Sequence, residues 1–144
     1  MIGDCTCGNL RRLTRRVTAR YDHALADCGL RITQYSLLSN LRPPAAATLS
    51  ALAAALDMDR TTLTRNLAPL VDAGWVVLES GGRGRTRVAR LTPAGAEKFR
   101  EARRRWRSAQ RELDDMLGRA EVKKLHSQID DYLTRLRPLA GDPA

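Results

Sequence analysis

Long apolar runs are missing from this 144-residue chain. No stretch approaches the roughly 18 consecutive apolar residues that a membrane-spanning helix needs, so no membrane is expected among its partners. Residues 1–8 lack the charged-then-apolar order of a secretory signal, and the expected location is cytoplasmic. Cysteine is scarce: Cys5, Cys7 and Cys28 are an odd number with two crowded near the start. That pattern does not fit the disulfide framework of a small secreted domain, and it predicts thiols. Histidine is scarcer still, with only His23 and His126. Cys5-Thr6-Cys7 with either histidine across a dimer is a conceivable soft-metal set, but neither histidine has ligand spacing, and a lone histidine on a helix is usually a surface or packed residue. Neither metal nor cofactor is expected. No glycine-rich loop follows a strand and opens a helix, and the pairs Asp114-Asp115 and Asp130-Asp131 read as solvated helix faces rather than catalytic carboxylates. Enzymatic activity is not expected.

What is abundant is positive charge, and it is concentrated. The formal net charge is +9, and residues 60–107 hold 12 Lys/Arg against 4 Asp/Glu, whereas residues 108–144 hold 6 against 7. A solvated surface usually mixes signs, so a segregated arginine block points to a polyanion, with nucleic acid ahead of membrane.

The length fits one domain, and the 43% apolar content supplies a core if part of that surface is buried between subunits. Leu10, Leu13, Val17, Tyr21, Ala24 and Leu25 recur at threes and fours and predict an amphipathic helix over residues 8–27. A second helix is expected over 33–41, with Thr33 as its cap and Pro43-Pro44 blocking continuation. Thr48 is placed to cap a third helix carrying Leu49, Leu52, Ala53 and Leu56. Asp59 is placed to cap a fourth carrying Leu63, Leu67, Leu70 and Val71. Pro69 inside that fourth helix removes a hydrogen bond and predicts a bend. After Gly74, residues 75–78 and 86–91 read as two strands around a turn at 81–84. Pro93 opens a long helix at its first position, and a last helix runs from about residue 121 to near Pro138.

Two short helices joined through Leu56-Asp57-Met58, the second rich in hydroxyl and guanidinium groups near its start, meet the requirements of a helix-turn-helix. Arg60, Thr61, Thr62, Thr64 and Arg65 occupy the first two turns, from which side chains reach major-groove base edges. Solvation alone is a poor reason for three threonines there, since β-branched residues are weak helix formers. The hairpin tip adds Arg83, Arg85 and Arg87 beside that helix, and arginine is favoured in a narrow minor groove.

In these segments the chain resembles the MarR family of winged helix-turn-helix regulators. The resemblance rests on residues 29–35, 49–56, 59–65, 70–76 and 87–95, and it extends over nearly the whole chain. It implies a mainly α fold with a small β-hairpin wing, in which residues 32–92 form the DNA-binding lobe and residues 1–31 and 93–144 supply dimerisation helices. It further implies a homodimer on palindromic duplex DNA, and a repressor released by a small-molecule or oxidant effector. The family's wing usually carries Asp-x-Arg-Asp-x-Arg, and here Ser80-Gly81-Gly82-Arg83-Gly84-Arg85 keeps only the final arginine, Arg85. Cys7 falls where organic-hydroperoxide-sensing members carry their reactive cysteine, and Tyr21 on a tyrosine that contacts it. Arg11 and Ile32 stand where two further tyrosines would be. A thiol at a helix start beside arginine favours the thiolate, with Cys5 or Cys28 as the second sulfur; the alternative is that Cys7 is an incidental small residue at the dimer seam. The rival reading of the whole chain is a sequence-indifferent architectural DNA binder, consistent with the high net charge.

Overall fold

The computed structural model describes residues 2–43, 45–81 and 86–136. After a 3-10 turn at Ile2–Asp4, the elements are α1 (Thr6–Leu25), a second 3-10 turn (Ala26–Cys28), α2 (Ile32–Asn40), β1 (Ala47–Thr48), α3 (Leu49–Ala55), α4 (Arg60–Asp72), β2 (Val76–Ser80), β3 (Arg87–Leu91), α5 (Pro93–Leu117) and α6 (Arg119–Arg135). The fold is mainly helical with a small antiparallel wing, as the sequence predicts. No helix of the described residues is long and apolar enough to cross a membrane.

Caps set most of the boundaries. The side chains of Thr48 and Asp59 accept from Ala51 N and Thr62 N, both as expected. The start of α2 differs. Arg31 is its N-cap rather than Thr33, because the Gln34 side chain three residues on accepts from Arg31 N at 2.9 Å, and Asp22 of α1 accepts from Ile32 N at 2.7 Å. α1 also begins earlier than its apolar spacing suggests, so Cys7 lies inside the helix and Cys5 is its N-cap. α4 continues through Pro69 to Asp72; Pro69 is exposed, so the carbonyl it leaves without a partner faces the solvent side.

The sheet holds one strand more than the sequence suggests. β3 pairs with β2 in the register Val76↔Leu91 through Ser80↔Arg87, and with the two-residue β1 through Ala47↔Ala89 and Thr48↔Val88. Two residues carry no readable alternation, so β1 is invisible before folding. Its pairing ties the start of α3 to the root of the wing.

The core gathers Leu25, Leu37, Leu38, Leu41, Leu52, Leu63, Leu67, Leu70 and Val76, all essentially inaccessible. Aromatic rings extend it along α5. Tyr35 stacks between Phe99 and Trp106 at 5.7 Å from each, and Tyr21 stacks on Trp106 at 6.5 Å. Beyond that point the packing thins. α6 buries only Val122, while Met116, Leu117, Tyr132 and Leu133 are about half exposed, Leu133 at 60%.

The joint between wing and α5 is unusually tight. Thr92 N donates to Trp75 O at 3.1 Å, and the Thr92 hydroxyl donates to Gly74 O at 2.6 Å while accepting from Gly95 N at 3.0 Å. Gly74 takes a left-handed φ of 74°, and a Cβ built on Gly95 would lie 1.9 Å from Trp75 O. Backbone, not a flexible side chain, fills that space. Gly95→Ala should therefore destabilise the fold by about 3 kcal/mol or more, visible as a lower midpoint in urea. An unchanged midpoint would mean that the joint yields without cost.

Candidate nucleic-acid interface

α4 divides its faces sharply. Leu63, Leu67 and Leu70 are buried, while Arg60, Thr61, Thr64, Arg65 and Ala68 are exposed on the other side. The preceding turn presents this helix by a short left-handed step: Asp57 has φ 50°, and Met58 N donates to Ala53 O at 2.9 Å. Aspartate tolerates that conformation better than a bulky residue would.

The five candidate residues of α4 are not equivalent. Thr62 is half-buried and belongs to the cap: its amide and hydroxyl donate to the two carboxylate oxygens of Asp59 at 2.8 and 2.6 Å. The Thr64 hydroxyl donates back to Arg60 O at 2.8 Å. Arg65 leans over Thr62, 3.5 Å from its hydroxyl, and remains exposed with Arg60 and Thr61. The side chains with donors still free are thus Arg60, Thr61 and Arg65.

Beside them, a cleft of about 210 Å³ is lined by Thr48, Leu49, Ser50, Arg60, Thr86 and Arg87. The β1–β3 pairing creates it, since Thr48 lies opposite Val88, next to Arg87. Two guanidinium groups and the first residues of α3 therefore converge on one concavity suited to an anionic oxygen. Thr48, Ser50 and Thr86 are absent from the sequence-derived candidates, and only β1 brings them there. Arg83 and Arg85 lie outside the described residues; Arg87 opens β3 opposite Ser80.

The thiol candidates are dispersed. Cys5 and Cys7 are exposed, and Cys5 Sγ accepts from Gly8 N at 3.4 Å. Cys7 lines an open hollow of about 640 Å³ with Leu10, Arg11, Thr14 and Arg15. Tyr21 stands fourteen residues further along the same helix, about 21 Å away at helical rise, so the two do not meet within one chain. Instead the buried Tyr21 hydroxyl donates to Gln110 Oε1 at 2.5 Å, and burial, with Asp114 nearby, pushes its phenol up. Cys28 is buried at the far end of α1, where burial and then the adjacent Glu101 charge raise its thiol. Lys98 fastens that corner, donating to Cys28 O at 3.2 Å and to Glu101 at 2.8 Å, with its ammonium 5.2 Å from the centre of the Trp75 ring. Cys28 is therefore a core residue and out of reach of Cys7 within one chain.

Asp59 anchors the N-terminal end of α4. The Thr62 hydroxyl, followed by the Thr62 amide, holds its carboxyl below the usual carboxylate range. A lowered folded pKa contributes stability above the ordinary carboxylate pKa of about 3.9, and this is lost as pH falls through the folded value. Asp59→Ala should thus melt below wild type at neutral pH, with the gap closing as pH drops below about 4. A gap independent of pH would mean that the charge of Asp59 plays no part.

A helix-turn-helix domain model matches residues 33–79. Comparison with curated protein sequences returns no match. Among solved structures, the M. tuberculosis transcriptional regulator MosR in complex with DNA is 32% identical, with 90% of this chain and 99% of that one covered and a TM-score of 0.74. A MarR-family regulator from Rhodococcus sp. RHA1 is 21% identical over 92% and 94% of the two chains, with a TM-score of 0.81. Wild-type MarR from E. coli is 23% identical over 89% and 96%, with a TM-score of 0.71. The mainly helical fold with its small antiparallel wing agrees with that likeness, and the chain belongs to the MarR family of winged helix-turn-helix transcriptional regulators.

Proposed function

We propose that this protein is a sequence-specific regulator that binds palindromic duplex DNA as a homodimer and represses until a small-molecule or oxidant signal releases it. The observation that carries this reading is the exposure of Arg60, Thr61 and Arg65 on one face of α4, capped by Asp59 and adjoining Arg87 across the cleft. Arg60, Thr61, Thr62, Thr64 and Arg65 form the major-groove face, in which Thr62 acts by holding the helix start. Arg83, Arg85 and Arg87 of the wing take the minor groove and its phosphates. MosR in complex with DNA, and CouR bound to a 23-mer duplex, support DNA as the partner. Residues 32–92 serve as the DNA-binding lobe.

Residues 1–31 and 93–144 serve dimerisation. Leu10, Leu13, Met116, Leu117, Ile129, Tyr132 and Leu133 are exposed on α1, α5 and α6. Together they exceed the scattered apolar exposure of a monomer, and a two-fold partner covers them and spaces two lobes one DNA turn apart. A sequence-indifferent architectural binder would not need a base-reading face framed by a cap.

Arg65→Ala should cost about 1–3 kcal/mol on the cognate site and relax preference at one position per half-site. Arg85→Ala should weaken cognate and random duplex alike and reduce the salt slope by about one. Quantitative footprinting on the region upstream of the protein's own gene, across a salt series, separates the two. Equal losses on cognate and random duplex from both changes would favour the architectural reading.

The exposed pair Cys5 and Cys7 at the start of α1, with Arg11 lining the same hollow, supports an oxidant as the signal. The effect would act by changing the spacing of the two lobes. Stoichiometric organic hydroperoxide should release operator from wild type and not from Cys7→Ser. Identical responses would leave a small-molecule effector as the signal.

A further inference from the structure

Only part of the arginine block at residues 60–107 belongs to the winged lobe; the remainder lies on α5. Along that helix Phe99, Ala102, Trp106 and Ala109 turn inward. Arg100, Arg103, Arg104, Arg107 and Arg111 recur at threes and fours on another side, so they share one face. All five are exposed in the single chain, and the apolar residues of α5 assigned above to the subunit contact, Met116 and Leu117, lie beyond them at its end. Arg100 pairs with Glu97. Among the described residues, Arg103, Arg104, Arg107 and Arg111 have no carboxylate within salt-bridge distance, and Asp114, one turn beyond Arg111, is occupied by Gln110 at 2.9 Å and Arg119 at 3.9 Å.

Like charges three and four residues apart destabilise a helix, and within the chain only Glu97, paired with Arg100, and Glu101, beside Arg104, offset this row. A polyanion laid on this face would relieve the remaining repulsion. Arg103 to Arg111 lie roughly 15–27 Å along α5 from Pro93, where the helix leaves the wing. They are thus set apart along α5 from Arg87, at the start of β3. We infer that the arginine face of α5 is a second and sequence-indifferent seat for duplex DNA, able to hold a segment other than the one read by α4.

Guanidinium groups match phosphate oxygens in pairs. The row from Arg100 to Arg111 runs about 16 Å at helical rise, commensurate with several phosphates of one strand. A membrane-surface helix would place large apolar side chains beside its cations; the exposed neighbours here are Glu97, Ser108 and Asp115. If α4 reads DNA as proposed above, more duplex is also the polyanion at highest local concentration.

The test uses a random-sequence duplex of about 40 base pairs, with binding followed by anisotropy from about 50 to 200 mM NaCl. The full chain is compared with a face variant (Arg103→Gln, Arg104→Gln, Arg107→Gln, Arg111→Gln), a reading variant (Arg60→Ala, Arg65→Ala, Arg87→Ala) and their combination. The reading variant should keep salt-sensitive binding, and adding the face changes should weaken it by about tenfold or more. In the wild-type background, the face changes should lower the salt slope by about three per chain. The face variant should melt at or above wild type, because self-repulsion is relieved. Binding within twofold of the parent in both backgrounds overturns the inference, as does a lowered melting temperature, which would make the face structural. Loss of binding to phosphatidylglycerol vesicles without loss on DNA overturns it in favour of a membrane. If the reading changes leave random-duplex binding intact while the face changes abolish it, the role of α4 fails and the second seat stands.

Discussion

Trp75's carbonyl occupies the space that a side chain at position 95 would need, and Thr92 binds both sides of that contact through one hydroxyl. The wing, the end of α4 and the start of α5 meet at this point. Its geometry fixes the direction in which α5 leaves the sheet, and with it where Phe99 and Trp106 present their faces to Tyr35. Lys98 reinforces the joint from the next turn, over the Trp75 ring and against the corner after α1. The lobe and the long helix are thus one packed body, and the core leucines of α2, α3 and α4 close around it.

That joint was half legible in the sequence. Thr92-Pro93 announces a helix start from local chemistry alone, whereas the need for glycine at position 95 depends on a residue twenty positions earlier. The same division runs through the reading unit. Asp59 and Thr48 act as caps within three residues of themselves and could be read directly. Arg31 as the cap of α2 depends on Gln34 and on Asp22 from another helix, so local preference favoured Thr33 instead. β1 left no pattern at all, and with it the cleft that gathers Ser50, Thr86 and Arg87 was hidden. Tyr21's partner within the chain was equally hidden, because its hydroxyl donates to Gln110, 89 residues on.

The charge block shows how one sequence signal divides in space. Residues contiguous in the chain separate onto the wing, where Arg87 meets Arg60, and onto α5, where Arg103, Arg104, Arg107 and Arg111 stand without carboxylate partners among the described residues. Composition registers the sum and is silent on the partition. Helical periodicity contains it, once the buried line of Phe99, Ala102, Trp106 and Ala109 is known.

Because β3 is shared between β1 and β2, the wing and the entrance to α3 cannot tilt independently. The longest element leaving this block among the described residues is α5, 25 residues and so about 37 Å from end to end. It has the proportions of a lever arm fixed to the lobe at Gly95 and pivoting at its far end, near Leu117. A rotation of about 5° near Leu117 sweeps the wing end through about 3 Å, a sizeable fraction of the pitch of one helical turn. Angular play of that size where α5 meets α6 displaces α4 and the wing together, without any rearrangement inside the lobe itself.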